Sequence, residues 1–297
     1  LRLIEWTQPV GAPTTVSLVQ GNVPQDMKWQ PEKAAQTLAR YAELIAAHPA
    51  QLIVLPETAL PLFEYELPPA YRDMLVQLGR QHGGDIVVGL PTGSPQGAYY
   101  NSALSFGAAP TQSYHKFHLV PFGEYIPMKP LWGWIIEVLH IPLSDFARGS
   151  TTQRPLRVGG QAVAMNICYE DVFGEEIIRQ LPEASVLANV SNVAWFGDSL
   201  APWQHGQISQ MRALESGRMM LRSTNTGLTA LIDHKGVMLS HLPTFREGVL
   251  RGTVTGYTGS TPYVRWGNAP ILIWVGGSLA MMLVLRVAKP GKSTRRR

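Results

Sequence analysis

The residues best suited to chemistry in this chain are a cysteine, a lysine and a glutamate, each at or just past a strand-like segment. Cys168, the only cysteine among the 297 residues, ends an apolar run, and Glu57 follows another. Lys116 lies between them in the sequence, in a segment rich in aromatic and apolar residues. A carboxylate can take the proton of a thiol, an ammonium group can hold a developing oxyanion, and a thiolate can attack a carbonyl carbon. Together the three side chains indicate acyl transfer through a thioester.

The thiol needs assistance, because a cysteine with an ordinary pKa of about 8.5 is mostly protonated at neutral pH. Glu57 is the candidate base, and Lys116 is the candidate electrostatic partner of both the thiolate and the tetrahedral intermediate. Each residue alone has an ordinary structural interpretation. Cys168 could be a small buried apolar side chain, Glu57 a carboxylate at a helix N-terminus, and Lys116 a solvated surface amine. The prediction therefore depends on the three occurring together.

Three short motifs carry a resemblance to a known family. They are Leu-Pro-Glu-Thr at 55–58, His-Lys at 115–116 followed by Val-Pro-Phe-Gly-Glu-Tyr-Ile-Pro, and Asn-Ile-Cys-Tyr-Glu at 166–170. In this order they resemble the Glu-Lys-Cys triad of the nitrilase superfamily, and most of all its apolipoprotein N-acyltransferase branch. The resemblance covers about residues 13–260 and continues into the hydrophobic segment that follows.

The resemblance implies further site residues beyond Glu57, Lys116 and Cys168. Glu124 matches a second glutamate that takes part in the family's site, and Glu170 matches a position that supports it. A surface ion pair is the alternative for both carboxylates. Tyr169 can offer its backbone N–H to an oxyanion. Substrate contacts are expected from Asn101, Trp195 and Phe196, of which Asn101 and Trp195 resemble positions near the family's pocket.

Continuous apolar strands alternate with amphipathic helices along the chain, which indicates an α/β domain with sheets buried on both faces. Strands are predicted at 14–20, 51–55, 85–90, 100–106, 161–168, 184–190, 227–233, 237–241 and 248–255, and helices at 31–48, 69–81, 173–181 and 203–221. The resemblance implies the four-layer α-β-β-α sandwich of nitrilases over 13–260. It also implies a multi-helix membrane region before this domain. Residues 1–12 are expected to form an irregular segment that leads from that region into the domain.

The segment 266–285 contains 20 residues without a charge, about 30 Å of helix and enough to cross a bilayer. The alternative is a buried core helix. We expect a transmembrane helix over 266–287 and, by the positive-inside tendency, a cytoplasmic basic tail over 288–297. The domain would then lie on the external face, which the resemblance implies is the periplasmic side of a bacterial inner membrane.

The basic residues are unevenly distributed along the chain. Seven of the 25 lie from Arg265 onward, where there is no acidic residue, so residues 1–264 have a net charge of −3. The basic balance therefore belongs to the tail, and a nucleic-acid-binding surface is poorly supported.

The sequence lacks the residues that several other classes of site require. A single cysteine excludes a disulfide framework and a multi-thiolate zinc site, and His115 and His118 have no third ligand near them in sequence. There is no phosphate-binding glycine loop and no Gly-x-Ser-x-Gly motif. We expect no metal and no cofactor.

Three loops place bulky aromatic residues beside glycine or proline, at 61–65, 131–136 and 194–197. They are either satellite core packing or lids that enter lipid and admit acyl chains.

The resemblance implies a ping-pong acyltransferase. Its donor would be a membrane phospholipid and its acceptor the α-amine of the N-terminal S-diacylglyceryl-cysteine of a lipoprotein. Two alternatives remain at this stage: a membrane-tethered nitrilase-type amidase, which passes the acyl group to water, and a non-catalytic lipoprotein-binding module.

Overall fold

Two β-sheets form the centre of the protein. The computed structural model describes residues 4–24, 31–94, 96–127 and 145–288. Within these ranges the first sheet has the strand order β12-β1-β2-β3-β4-β5. Its strands are β1 (Thr7–Gln20), β2 (Leu52–Val54), β3 (Asp85–Gly93), β4 (Tyr99–Gly107), β5 (Ser113–His115) and β12 (Gly248–Gly259).

The second sheet has the order β11-β10-β9-β8-β7-β6. Its strands are β6 (Leu156–Val158), β7 (Gln161–Ile167), β8 (Val186–Ser191), β9 (Met220–Thr224), β10 (Ala230–Ile232) and β11 (Met238–His241). Strands β1 to β3 are mutually parallel in the first sheet, as are β7 to β9 in the second, while the outer strands pair antiparallel. The loops that follow parallel strands gather at one edge of a sheet, where ligand sites of α/β proteins commonly lie.

The described residues form six α-helices. They are α1 (Pro31–Ala47), α2 (Pro69–Gln81), α3 (Gly174–Ile177), α4 (Ala201–Ser216), α5 (Pro262–Trp266) and α6 (Ala269–Ala288). Helices α1 and α2 bury apolar side chains against the first sheet, and α3 and α4 do so against the second.

A third apolar cluster lies between the two sheets and joins residues of both, such as Val54 of β2 and Met165 of β7. The predicted four-layer α-β-β-α sandwich is thus confirmed.

The first strand is longer than the sequence pattern predicted. β1 begins at Thr7, so the expectation of an irregular segment through residue 12 was wrong. Residues 7–10 pair antiparallel with residues 256–259 of β12, and a register shift separates this part from the buried half of the strand. Most side chains in the first half are exposed. That half therefore lacks the apolar pattern that marks a core strand.

The predicted helix over 203–221 was too long. Helix α4 ends at Ser216, and Gly217 adopts a left-handed φ of 65° with its N–H donating to the carbonyl of Ala213. Glycine tolerates this conformation and commonly ends a helix in this way. The apolar residues that follow belong to β9, which was not predicted; β6 was also missed.

Helix α6 is long and apolar enough to cross a membrane, and none of its 18-residue apolar window Ala269–Arg286 is buried in the protein. The alternative of a buried core helix does not agree with this exposure. The short helix α5 and Gly267 precede it, so the helix begins three residues later than predicted. The apolar loop at 131–136 and the basic tail from residue 289 lie outside the described residues.

Gly89 of β3 lets the loop that carries Glu57 approach the sheet. A β-carbon at this position would lie 2.2 Å from the carbonyl oxygen of Pro56 and 2.8 Å from the Cα of Glu57. Both contacts are with backbone atoms, which no rotamer change can relieve. The 56–58 loop can therefore occupy its place only if residue 89 has no side chain.

We predict that Gly89→Ala destabilises the fold by about 1–3 kcal/mol, the usual cost of overpacking, and displaces Glu57. Thermal unfolding of the purified chain measures the first effect. Gly97→Ala is the matched control, because nothing lies within 4 Å of a β-carbon at that position. Equal melting temperatures for both variants would contradict this account.

Candidate active site

The three central candidates lie at strand ends of both sheets. Glu57 comes three residues after β2, and Lys116 follows β5 directly, so both belong to the first sheet. Cys168 follows β7 of the second sheet directly. The sheets are joined at this edge by the backbone N–H of Asn192, just past β8, which donates to Glu57 Oε2 at 2.8 Å.

Lys116 is buried between two carboxylates. Its Nζ lies 3.2 Å from Glu57 Oε1 and 2.9 Å from Glu124 Oε1, and its side chain is 1% exposed. Burial lowers the pKa of Lys116, but the charges of Glu57 and Glu124 outweigh this effect and raise the pKa well above its usual value. The amine therefore remains an ammonium ion inside the protein. The surface alternative for Lys116 and Glu124 does not agree with this geometry.

Asn101 of β4 completes this cluster. Its Nδ2 donates to Glu57 Oε1 and to Glu124 Oε1, each at 2.8 Å, so both carboxylates receive one bond from the amide and one from the ammonium group. The second oxygen of Glu124 accepts from the backbone N–H of Val120 at 2.9 Å. These bonds fix both carboxylates in position. Asn101 was predicted to contact substrate; in the structure its amide nitrogen binds both carboxylates, and the predicted substrate contact stays a prediction.

Cys168 has an unusual backbone conformation and a thiol with a raised pKa. Its φ of 53° is left-handed, a conformation that costs energy for a residue with a side chain and tends to occur at functional sites. Burial and the charge of Glu57 raise the pKa of the thiol to about 12, against the opposing effect of Lys116. The group is therefore protonated at neutral pH, and a base must remove its proton when it reacts.

Glu170 joins the lysine segment to the cysteine segment. Its Oε1 accepts from the backbone N–H groups of Phe117 and His118, at 2.6 and 3.1 Å. Its Oε2 accepts from the N–H of Ile167 at 2.7 Å and from the Tyr114 hydroxyl at 3.0 Å. Burial raises the pKa of Glu170 to about 7, although these backbone donors lower it. Glu170 is buried, so it is not a surface ion pair.

The remaining predicted residues lie closer to solvent. The Tyr169 ring is 37% exposed and contacts His118 and Phe173 edge-on. Trp195 and Phe196 are 67% and 62% exposed on a short turn after β8, so they are not core packing. The loop at 61–65 is mixed, because Phe63 is buried while Tyr65 is exposed.

Comparison with known proteins agrees with the fold and with the family resemblance. The family model described as carbon-nitrogen hydrolase matches residues 15–263. The chain belongs to the carbon-nitrogen hydrolase family. A solved member of that superfamily from Xanthomonas campestris, XC1258, aligns with a TM-score of 0.62 at 17% identity, covering 90% of this chain and 98% of that one. A mutant of an amidase from Nesterenkonia, a member of the nitrilase superfamily, aligns with a TM-score of 0.58 at 18% identity, covering 89% and 97%.

Curated relatives are more similar in sequence. The chain is 57% identical over 286 residues to a protein of Nitrosomonas europaea named apolipoprotein N-acyltransferase, covering 94% of this chain and 58% of that one. A protein of Methylococcus capsulatus with the same name is 44% identical, with 95% and 56% covered. The chain thus spans little more than half the length of these relatives.

Sequence reasoning missed several polar residues of this carbon-nitrogen hydrolase domain that contact the site residues. Asn192 is one, because its backbone N–H donates to Glu57. Asn189 and His205 are two more, because their side chains bind the carbonyl oxygen of Cys168. A signal existed for the first two, because both lie at the carboxyl end of a predicted strand, where site residues gather. His205 lies on a helix 37 residues from Cys168 and carried no local signal.

The raised thiol pKa predicts the pH dependence of alkylation in the substrate-free protein. Because only the thiolate reacts, the rate of iodoacetamide labelling of Cys168 should rise about tenfold per pH unit from about pH 7 to about pH 10, without a plateau. Lys116→Met removes a charge that lowers the pKa, so its profile should shift to higher pH. Mass spectrometry of the labelled peptide measures both rates.

Lys235→Met, a change at an exposed lysine, is the control for this experiment. A plateau near pH 8 in the wild type would show that the thiol is not protonated at rest. A shift of the Lys116→Met profile to lower pH would contradict the sign of the interaction.

Proposed function

We propose that this chain carries the catalytic site of an apolipoprotein N-acyltransferase, in which Glu57, Lys116 and Cys168 act as base, oxyanion donor and nucleophile. The observation that carries the proposal is the buried ammonium group of Lys116, held between Glu57 and Glu124 and close enough to a protonated Cys168 to perturb its pKa. The names of the curated relatives support the choice of donor and acceptor.

The first half-reaction forms the thioester. Glu57 takes the thiol proton as the sulfur attacks an ester carbonyl of a phospholipid, and the carbonyl oxygen becomes an oxyanion. An ammonium group has three N–H donors, and two of those of Lys116 bind carboxylates among the described residues, so the third is available to this oxygen. The Tyr169 N–H is the second candidate donor. When the intermediate collapses, Glu57 gives its proton to the departing lysophospholipid oxygen, and the acyl group stays on sulfur.

The second half-reaction releases the product. The α-amine of the acceptor's S-diacylglyceryl-cysteine attacks the thioester carbonyl, and Glu57 takes a proton from the nitrogen. The carbon–sulfur bond breaks, the sulfur regains its proton from Glu57, and an amide leaves. Asn101 and the Asn192 N–H keep Glu57 in place through both proton transfers, because each binds a carboxylate oxygen.

The membrane provides the donor in this proposal. Helix α6 anchors the domain in the bacterial inner membrane, and the basic residues beyond it lie on the cytoplasmic side, so the site faces the periplasm. Trp195 and Phe196 offer exposed aromatic surface that can enter lipid. We therefore assign them to the entry path of the acyl chains.

An acyl-enzyme test separates this function from its alternatives. After incubation of the purified protein with phosphatidylethanolamine, intact mass should increase by one acyl group on Cys168. Cys168→Ala should show no adduct, and Glu57→Gln should form it far more slowly. Lys116→Met should slow its formation by about 10²–10³-fold, the cost of losing one oxyanion donor. Glu183→Gln, a change at an exposed carboxylate on the surface, is the control and should behave as the wild type.

The fate of the adduct then distinguishes acyltransferase from amidase. Addition of a diacylglyceryl-cysteinyl peptide should discharge the thioester and yield the N-acylated peptide. Loss of the adduct to water at the same rate, with or without the peptide, would identify an amidase-type enzyme. Wild-type protein that never acquires an acyl group would disprove the catalytic proposal.

The exposure of Trp195 and Phe196 leads to a separate prediction about donor access. The double change Trp195→Ser and Phe196→Ser should slow acylation by long-chain phospholipid while leaving iodoacetamide labelling unchanged. Because surface substitutions usually alter stability by about 0.5 kcal/mol or less, the melting temperature should hardly move. Val237→Ser, at an exposed apolar residue of another loop, is the control. A large loss of stability, or equal acylation by the double variant, would contradict the assignment.

A further inference from the structure

The carbonyl group of Cys168 is held by two side chains of the second sheet and its helical cover. Asn189 Nδ2, on β8, donates to this oxygen at 3.1 Å, and His205 Nε2, on α4, lies 3.2 Å from it. His205 Nε2 also lies 2.7 Å from Asp171 Oδ1. Since both neighbours of this nitrogen are acceptors, Nε2 carries the proton and donates to both. A carbonyl beside the nucleophile therefore has two fixed donors.

The donors are fixed in turn by a buried polar network. Asp171 Oδ2 accepts from the Ser209 hydroxyl at 2.8 Å and from Arg222 Nη1 at 3.3 Å. The same Arg222 nitrogen donates to Asn189 Oδ1 at 2.8 Å, so the network returns to the other donor. Asp171 and Arg222 are fully buried and form an ion pair, so each is a partner for the other's charge away from water.

The network acts on one rigid unit, the peptide that joins Cys168 to Tyr169. In a trans peptide the carbonyl oxygen and the next N–H point in opposite directions within one plane. Fixing the Cys168 oxygen toward Asn189 and His205 therefore fixes the Tyr169 N–H toward the other side. This N–H donates to no acceptor among the described residues, in keeping with a donor kept for substrate.

We propose that His205 and Asn189, supported by Asp171, are positioning residues that orient the Cys168–Tyr169 peptide so that the Tyr169 N–H meets the oxyanion. The inference rests on the proposed function, because it assigns a task within that acyl-transfer site. It also accounts for the left-handed φ of 53° at Cys168, since two bonds to one carbonyl hold a conformation that the residue would not adopt alone.

Two reagents separate positioning of the N–H from positioning of the sulfur. Acylation by p-nitrophenyl butyrate passes through an oxyanion, whereas alkylation by iodoacetamide does not. In the full chain in detergent, His205→Leu should lower the rate constant of acylation about 10- to 100-fold, less than complete loss of an oxyanion donor. The ester concentration at half-maximal rate and the iodoacetamide rate should stay close to wild-type values.

Two further variants test the mechanism. His205→Gln keeps an N–H donor near the position of Nε2 and should recover most of the acylation rate. Gln210→Leu removes a comparable side-chain bond of the same helix, to the Gly236 carbonyl at 2.8 Å, and should match the wild type in both assays.

Three results would overturn the inference: equal slowing of both reagents in His205→Leu, no slowing of acylation, or a glutamine variant as slow as the leucine variant. If the wild type itself were not acylated, the proposed function would fail, and the crystal structure of His205→Leu would decide the inference separately. An unrotated Cys168–Tyr169 peptide in that structure would disprove it.

Discussion

A buried ammonium group is the constraint on which the rest of this site depends. Lys116 is almost completely removed from water, and a charge in that position is tolerated only when it is paired and hydrogen-bonded. Its partners, Glu57 and Glu124, come from different loops, so the pairing joins segments that are far apart in sequence. Removing one partner of a buried pair costs about 3–5 kcal/mol, so the groups proposed for catalysis also stabilise this edge of the domain.

The two-sheet architecture explains why the candidate base and nucleophile can meet. Glu57 follows a strand of one sheet and Cys168 a strand of the other, so neither sheet alone contains the site. Two of the contacts between them lie at the site: the Asn192 N–H on Glu57, and Glu170, which binds backbone N–H groups on both the lysine and the cysteine segments. Slippage between the sheets would separate the carboxylate from the thiol. The apolar cluster between the layers thus contributes to the geometry of the site as well as to stability.

The sequence was sufficient for features that are encoded locally or in short motifs. The strand before Cys168 and the helix over 69–81 each carry their own apolar pattern, and Glu57, Lys116 and Glu124 stand in recognisable motifs, which the fold brings together. Features that depend on distant partners were missed. The first half of β1 is ordered by pairing with β12, more than 240 residues away, and β9 is an apolar segment that continues the helical pattern past Gly217. His205 was missed for the same reason, because its bond to the Cys168 carbonyl exists only in the folded chain.

The raised pKa of the Cys168 thiol bears on how the site would work. Burial and the charge of Glu57 raise the pKa of the Cys168 thiol, so in the proposed mechanism its reactivity arises when a carbonyl group is in place to receive the charge. At that moment negative charge moves from sulfur to the carbonyl oxygen, where Lys116 and the Tyr169 N–H can meet it. In the proposed mechanism the placement of the oxyanion donors therefore matters more than the acidity of the thiol, which gives the polar network behind the Cys168–Tyr169 peptide its proposed role.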